Sequence, residues 1–112
     1  MTVLSGDDPL TLPMMAVGAT GVITVTANIA PKDMAAMVNA WAAGQVDEAR
    51  RLHYKLYPLF TALFLETNPI PVKEALALMG RIDGEVRLPL CPMGQENREK
   101  LTQALKHYGL VS

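Results

Sequence analysis

Two adjacent carboxylates, Asp7 and Asp8, follow the short apolar run Val3-Leu4-Ser5-Gly6. Paired carboxylates at the tip of a strand can hold a divalent metal, or divide the roles of general acid and base between them. The competing explanation is local. Asp8 followed by Pro9 has the form of a helix N-cap with proline at the first helical position, and such a cap contributes about 1 kcal/mol. The pair is therefore expected to be architecture, and no residue of the chain is assigned a catalytic role.

The remaining reactive side chains are scattered. His53 and His107 fall on separate expected helices with no third ligand at a metal-binding spacing, so no metal site is assigned. Lys32, Lys55, Lys73, Lys100 and Lys106 lie at helix starts or on helices, where an amine stays solvated; a nucleophilic lysine needs desolvation. A Gly-Asp-Asp triplet resembles that of RNA polymerases, but there it belongs in a hairpin, and here Pro9 and a helical pattern follow. A phospho-receiver domain also gathers acidic groups at a strand tip, yet needs more strands and a further aspartate than this chain supplies. Gly18 and Gly21 do not complete a dinucleotide fingerprint, so no cofactor is implied.

Bulk properties narrow the class. With 112 residues, half of them apolar, the chain has the size of one domain or part of one. Its formal net charge of -1 lacks the basic excess of nucleic-acid or anionic-membrane binders. The uncharged stretch from Pro9 to Pro31 holds four threonines, Asn28, two glycines and three prolines, which suits buried structure better than a membrane span. Cys91, the single cysteine, has no internal disulfide partner, and a reducing, cytoplasmic setting is expected. The sequence runs from Met1 straight into an apolar strand, as a cut through a larger domain would.

The elements that must position the carboxylates can be laid out from spacing. A strand is expected at residues 2–5, and a helix of about two turns at 10–18, with Leu10, Met14, Met15 and Val17 at helical spacing and Gly18 as terminator. A second strand is expected in "GVITVTANI", residues 21–29, whose apolar residues face both ways as in a parallel sheet covered on both sides. Strand, helix and strand make a right-handed βαβ unit, with Gly6 and the carboxylates at the end where such sheets bind ligands. Beyond Pro31, Met34, Met37, Val38 and Trp41 mark one helix face, and Ala49, Leu52, Leu56, Leu59, Phe60 and Leu63 mark the next. Pro69 and Pro71 are expected to break the chain before a helix at 72–79, "RLPLCPM" (87–93) reads as a loop, and a last helix is expected at 95–108, ended by Gly109. Two parallel strands leave open edges on both sides, so further strands must come from elsewhere.

Taken in order, "VLSGDD", "GATGVITVTANIAPKDM", "LFLETNPIPVKEAL", "VRLPLCPM" and "ALKHYGLV" closely resemble the C-terminal end of the dihydrodipicolinate synthases. The resemblance spans essentially the whole chain. It implies an α/β fold: the C-terminal fragment of a (β/α)8 barrel, with the last two parallel strands, plus a C-terminal helical extension. Residues 1–30 would be the last βαβ portion, and residues 31–112 the final barrel helix and helical domain.

The implied activity is that of a lyase of lysine biosynthesis, in which a lysine forms a Schiff base with pyruvate before condensation with aspartate semialdehyde. That lysine and the family's tyrosine and threonine proton relay lie on earlier strands, so none maps onto this chain, and the chain alone is expected to be inactive. Two contacts carry over as substrate-binding positions: the backbone of Gly6 and the main chain of Ile23, which would meet pyruvate. Asn68 would brace the C-terminal segment, where the local alternative is a turn residue before Pro69. Relatives are tetrameric, so a homo-oligomer, or assembly with the missing N-terminal barrel portion, is expected. A noncatalytic assembly module that covers its strand edges by oligomerising stands as the alternative.

Overall fold

The computed structural model describes residues 1–82 and 91–112, and the chain divides into two compact units, residues 1–57 and 58–112. The first unit opens with strand β1 (Leu4–Ser5), which pairs in parallel with β2 (Gly21–Val22) in the register Leu4 to Gly21 and Ser5 to Val22. One turn of 3-10 helix (Asp8–Leu10) and helix α1 (Thr11–Ala16) form the crossover between them. Parallel pairing needs such a connection, because a tight turn cannot return the chain to the same end.

The expected second strand is corrected here. Of residues 21–29 only Gly21 and Val22 pair, and Thr26–Asn28 close a second turn of 3-10 helix. Likewise β1 covers only the last two residues of the expected 2–5, although Val3 still accepts a hydrogen bond from the Thr20 amide at 2.9 Å. The apolar residues of 21–29 do not behave as a covered strand: Ile29 is buried, whereas Ile23 is 72% exposed. The helix expected at 10–18 is shorter, α1 ending at Ala16.

Helix α2 (Pro31–Ala42) starts on a proline, which costs nothing at a first turn whose amides have no intrahelical partner. It buries Met34, Met37 and Ala40; Val38 and Trp41 of the expected face are only half-buried. Met15 joins them in the core, as flexible thioethers filling gaps between elements do.

Helix α3 (Val46–Ala62) carries the expected stripe of Ala49, Leu52, Leu56, Leu59 and Phe60, all buried, and Leu63, one residue past its end, is buried with them. The boundary between the two units falls within it, next to Pro58, whose missing amide removes one rung of the helical ladder.

In the second unit, α4 (Ile70–Leu78) packs against α5 (Gln95–Tyr108). The start expected at residue 72 moves back to Ile70, because Pro71 occupies the first turn rather than breaking the helix; the Asn68-Pro69 peptide before it is cis. Helix α5 has the expected bounds, buries Leu101 and Leu105, and ends on Gly109 in the left-handed region (φ 98°), where the missing Cβ avoids a steric cost. Of the loop expected at 87–93, residues 87–90 lie outside the described residues.

Candidate functional site

The candidate site is the end of the sheet toward which both strands run. Gly6 and Ile23 each stand one residue past the paired positions Ser5 and Val22, so the parallel register brings the two predicted contacts to the same end. Both are exposed. The Ile23 amide donates to the Ser5 carbonyl at 2.8 Å, which extends the pairing by one rung and ties the Ile23 main chain to the tip of β1. Gly6 has no positive φ, and a Cβ there would meet nothing within 4 Å, so the chain's own fold does not demand glycine.

Ser5 organises the turn around Gly6. Its buried hydroxyl donates to the Asp7 carbonyl at 2.8 Å and accepts from the Asp7 amide at 3.1 Å. Such side-chain bonds to the backbone two residues on give the chain a turn in place of further strand. Thus β1 stops at Ser5, and Gly6 sits at the apex.

The two carboxylates part company. Asp7 is exposed and occupies the position before the 3-10 turn without making a side-chain cap bond. Asp8 is 1% exposed and does not cap its own helix, which corrects the N-cap expectation. Its Oδ2 accepts from the Thr26 amide at 2.8 Å and from the Thr26 hydroxyl at 2.5 Å, 18 residues away. Hydrogen bonds to charged groups contribute about 1.5–3 kcal/mol and leave a large penalty when removed from a buried site. Thr11 closes the cluster, its hydroxyl donating to the Asp8 carbonyl at 2.9 Å.

An apolar groove of about 400 Å³ lies beside β2, lined by Leu4, Val22, Met34 and Val38 among others, and contains neither Gly6 nor Ile23. No group of three or more metal-ligating side chains exists among the described residues. No helix among the described residues is long and apolar enough to cross a membrane.

The chain's lysines are not shielded amines. Lys32, Lys55, Lys100 and Lys106 are exposed and Lys73 half-buried; Lys55 pairs with Asp33 at 2.9 Å and Lys100 with Glu96 at 3.3 Å. His53 lies on α3, its ring edge-on to Tyr54 and tilted against Tyr57, and burial pushes its pKa below the ordinary value. His107 is exposed near the end of α5. Cys91 is exposed and free.

In the second unit the bracing residue is one that sequence reasoning passed over. Glu66 Oε2 accepts from the Gly94 amide and from Asn97 Nδ2, each at 3.0 Å, and Arg98 Nε pairs with Glu74 at 2.6 Å. Asn68, exposed, lies two residues beyond Glu66.

Among the described residues, a parallel strand pair joined through a helix and followed by further helices is an α/β arrangement. The chain belongs to the dihydrodipicolinate synthetase family, whose model matches residues 1–108. It is 60% identical over 111 residues to the 4-hydroxy-tetrahydrodipicolinate synthase of Thermodesulfovibrio yellowstonii, covering 99% of this chain and 38% of that one. Among solved structures, dihydrodipicolinate synthase from Aquifex aeolicus superposes with a TM-score of 0.96 at 51% identity, over 98% of this chain and 38% of its own. The chloride-inhibited dihydrodipicolinate synthase from Acinetobacter baumannii, solved complexed with pyruvate, gives 0.94 at 47% identity, over 99% and 38%. The chain thus spans 38% of the length of these relatives.

Proposed function

We propose that residues 1–112 are the C-terminal portion of a pyruvate-dependent lyase that condenses pyruvate with aspartate semialdehyde through a lysine Schiff base. In this reading β1 and β2 are the last two strands of a (β/α)8 barrel, residues 1–30 close the barrel, and residues 31–112 supply its final helix and a helical extension. The setting is cytoplasmic. The observation that carries the reading is the parallel register, which sets Gly6 and Ile23 side by side one residue past the paired positions. Barrel active sites are built at that end of the strands.

Gly6 and Ile23 offer main-chain groups to pyruvate, while the Schiff-base lysine and the proton relay belong to earlier strands. By itself the chain therefore binds no pyruvate covalently. All five of its lysines are either exposed or at the half-buried position 73, whereas a nucleophilic lysine sits in an enclosed pocket.

The test is complementation. Residues 1–112 are co-expressed with, and in a second arm joined to, the part of the Aquifex aeolicus relative that they do not match. The expected result is pyruvate-dependent condensing activity from the combination and none from either piece. Activity in neither arm overturns the reading.

The second reading, a noncatalytic module that oligomerises or complements an N-terminal barrel fragment, is favoured by one feature. Val3, Leu4, Leu10, Val17 and Ile23, all in or next to the βαβ unit, are large apolar side chains at least 44% exposed. Such a surface is expected to be covered by another chain or by the missing barrel. Sedimentation of the isolated chain separates the readings: a stable monomer removes the self-association version.

A further inference from the structure

The Asp8–Thr26 contact joins the stretch after β1 to the stretch after β2, and the residue whose main chain it steadies is Ile23. Ile23 is fixed on one side by its amide bond to the Ser5 carbonyl (2.8 Å). Three residues on, Thr26 is fixed by two bonds to one carboxylate oxygen, 2.8 Å from its amide and 2.5 Å from its hydroxyl. Both partners are nine-tenths buried or more, at 1% and 0% exposed, so water does not compete for these bonds. Between the two anchors, Ile23 is exposed and Thr24 and Val25 are half-buried. The Thr24 hydroxyl accepts from the Ala27 amide at 3.3 Å, and the Val25 carbonyl accepts from the Asn28 amide and side chain at 3.1 and 2.9 Å, so these residues are tied to the turn that Thr26 opens and follow its placement.

We infer that Asp8 is a positioning residue for pyruvate binding: its carboxylate pins Thr26 and so sets the Ile23 main chain at the angle at which it meets the ligand. Ser5 does the same for Gly6, through the two bonds between its hydroxyl and the backbone of Asp7 (2.8 and 3.1 Å). This inference rests on the reading of Gly6 and Ile23 as pyruvate contacts. It also accounts for the burial of the second carboxylate of the pair while the first faces solvent: Asp8 works across the sheet end, through Thr26.

The consequence for kinetics is specific. Loosening a main-chain contact with bound substrate raises KM and spares turnover, whereas loss of folded protein lowers the apparent kcat and leaves KM alone. The experiment uses residues 1–112 completed by the Aquifex aeolicus portion, with Asp8→Leu, Asp8→Asn and Thr26→Val. Asp8→Leu is expected to raise KM for pyruvate about tenfold with kcat changed less than about threefold. Asp8→Asn retains an acceptor oxygen and is expected to return KM to within about threefold of the unsubstituted complex; Thr26→Val keeps the amide bond alone and falls between.

A fall in kcat at constant KM, or no change in Asp8→Leu, overturns the inference. Amide exchange across residues 22–28 of the same complexes gives a reading that needs no activity. It is expected to quicken about tenfold or more in Asp8→Leu and to stay slow in Asp8→Asn. Equal protection in Asp8→Leu and the unsubstituted complex overturns the clamp. Absence of activity with intact exchange differences counts against the pyruvate-site reading instead.

Discussion

Two carboxylates in this chain do the same job by the same means. Asp8 satisfies the first amide of the 3-10 turn Thr26–Asn28, and Glu66 satisfies the amide of Gly94, the residue that opens α5 and has no side chain to cap with. In both cases an acid distant in sequence satisfies an amide at the start of a helical turn, the role the N3 glutamate of a capping box plays for its N-cap amide, and it lies at the positive end of the turn. Neither partnership was legible in the sequence. The separations are 18 and 28 residues, whereas capping signatures are read over three or four. Glu66→Ala is expected to lower stability by about 1 kcal/mol in urea unfolding, with Glu66→Gln losing less because its amide oxygen still accepts. Equal stability of all three proteins would show that the Glu66 bonds contribute nothing.

His53 supplies a pH dependence at the same scale. Burial holds its pKa below the ordinary value of 6.5, so the unfolded chain takes up a proton more readily than the folded one. Stability from this group is then complete above about pH 6.5 and is lost as the pH falls from there toward the folded value. Glu48 acts in a lower window. Its hydrogen bond from Arg51 lowers its pKa below 4.5, and that contribution is lost only as the pH falls further. The urea midpoint is expected to decline between pH 7 and 5.5 in the parent and to flatten in His53→Gln; an unchanged slope in the variant would assign the decline to another group.

At the level of elements, helices were read well and strands poorly, for a physical reason. A helix buries a stripe defined by its own sequence, so Ala49, Leu52, Leu56, Leu59, Phe60 and Leu63 could be named in advance, and so could the glycine that ends α5. A strand is defined by a neighbour. Residues 21–29 have the apolar content of a covered strand, but Asp8 draws Thr26 into a turn, and only Gly21 and Val22 pair. Pro69 and Pro71 do stand at the break between α3 and α4, but Pro71 is accommodated in the first turn of α4, which therefore starts at Ile70 rather than 72. Leu56→Ala, at a fully buried position of α3, is expected to cost about 2–5 kcal/mol. Arg50→Ala, which removes an exposed 3.8 Å pair with Asp47, is expected to cost less than about 0.5 kcal/mol. Similar urea midpoints for these two variants would mean that the α3 stripe is not the core it is taken for.

For the whole molecule, the family was readable from segments in order, while the proposed site rests on two main-chain positions, Gly6 and Ile23. Side-chain chemistry gave little, because the described residues bring together no cluster of three or more metal-ligating groups and leave the lysines exposed or half-buried. Among the described residues the sheet has two parallel strands, Ile23 and Val17 are exposed, and the chain spans 38% of the length of its relative from Thermodesulfovibrio yellowstonii. In the function proposed above, pyruvate recognition falls partly on this chain and covalent capture on the portion it lacks. Borohydride reduction in the presence of pyruvate, followed by intact mass spectrometry, asks this directly. The account predicts no added mass on residues 1–112, alone or in the co-expressed complex, and one pyruvate-derived adduct on the complementing portion. A stoichiometric adduct on Lys32, Lys55, Lys73, Lys100 or Lys106 would contradict it.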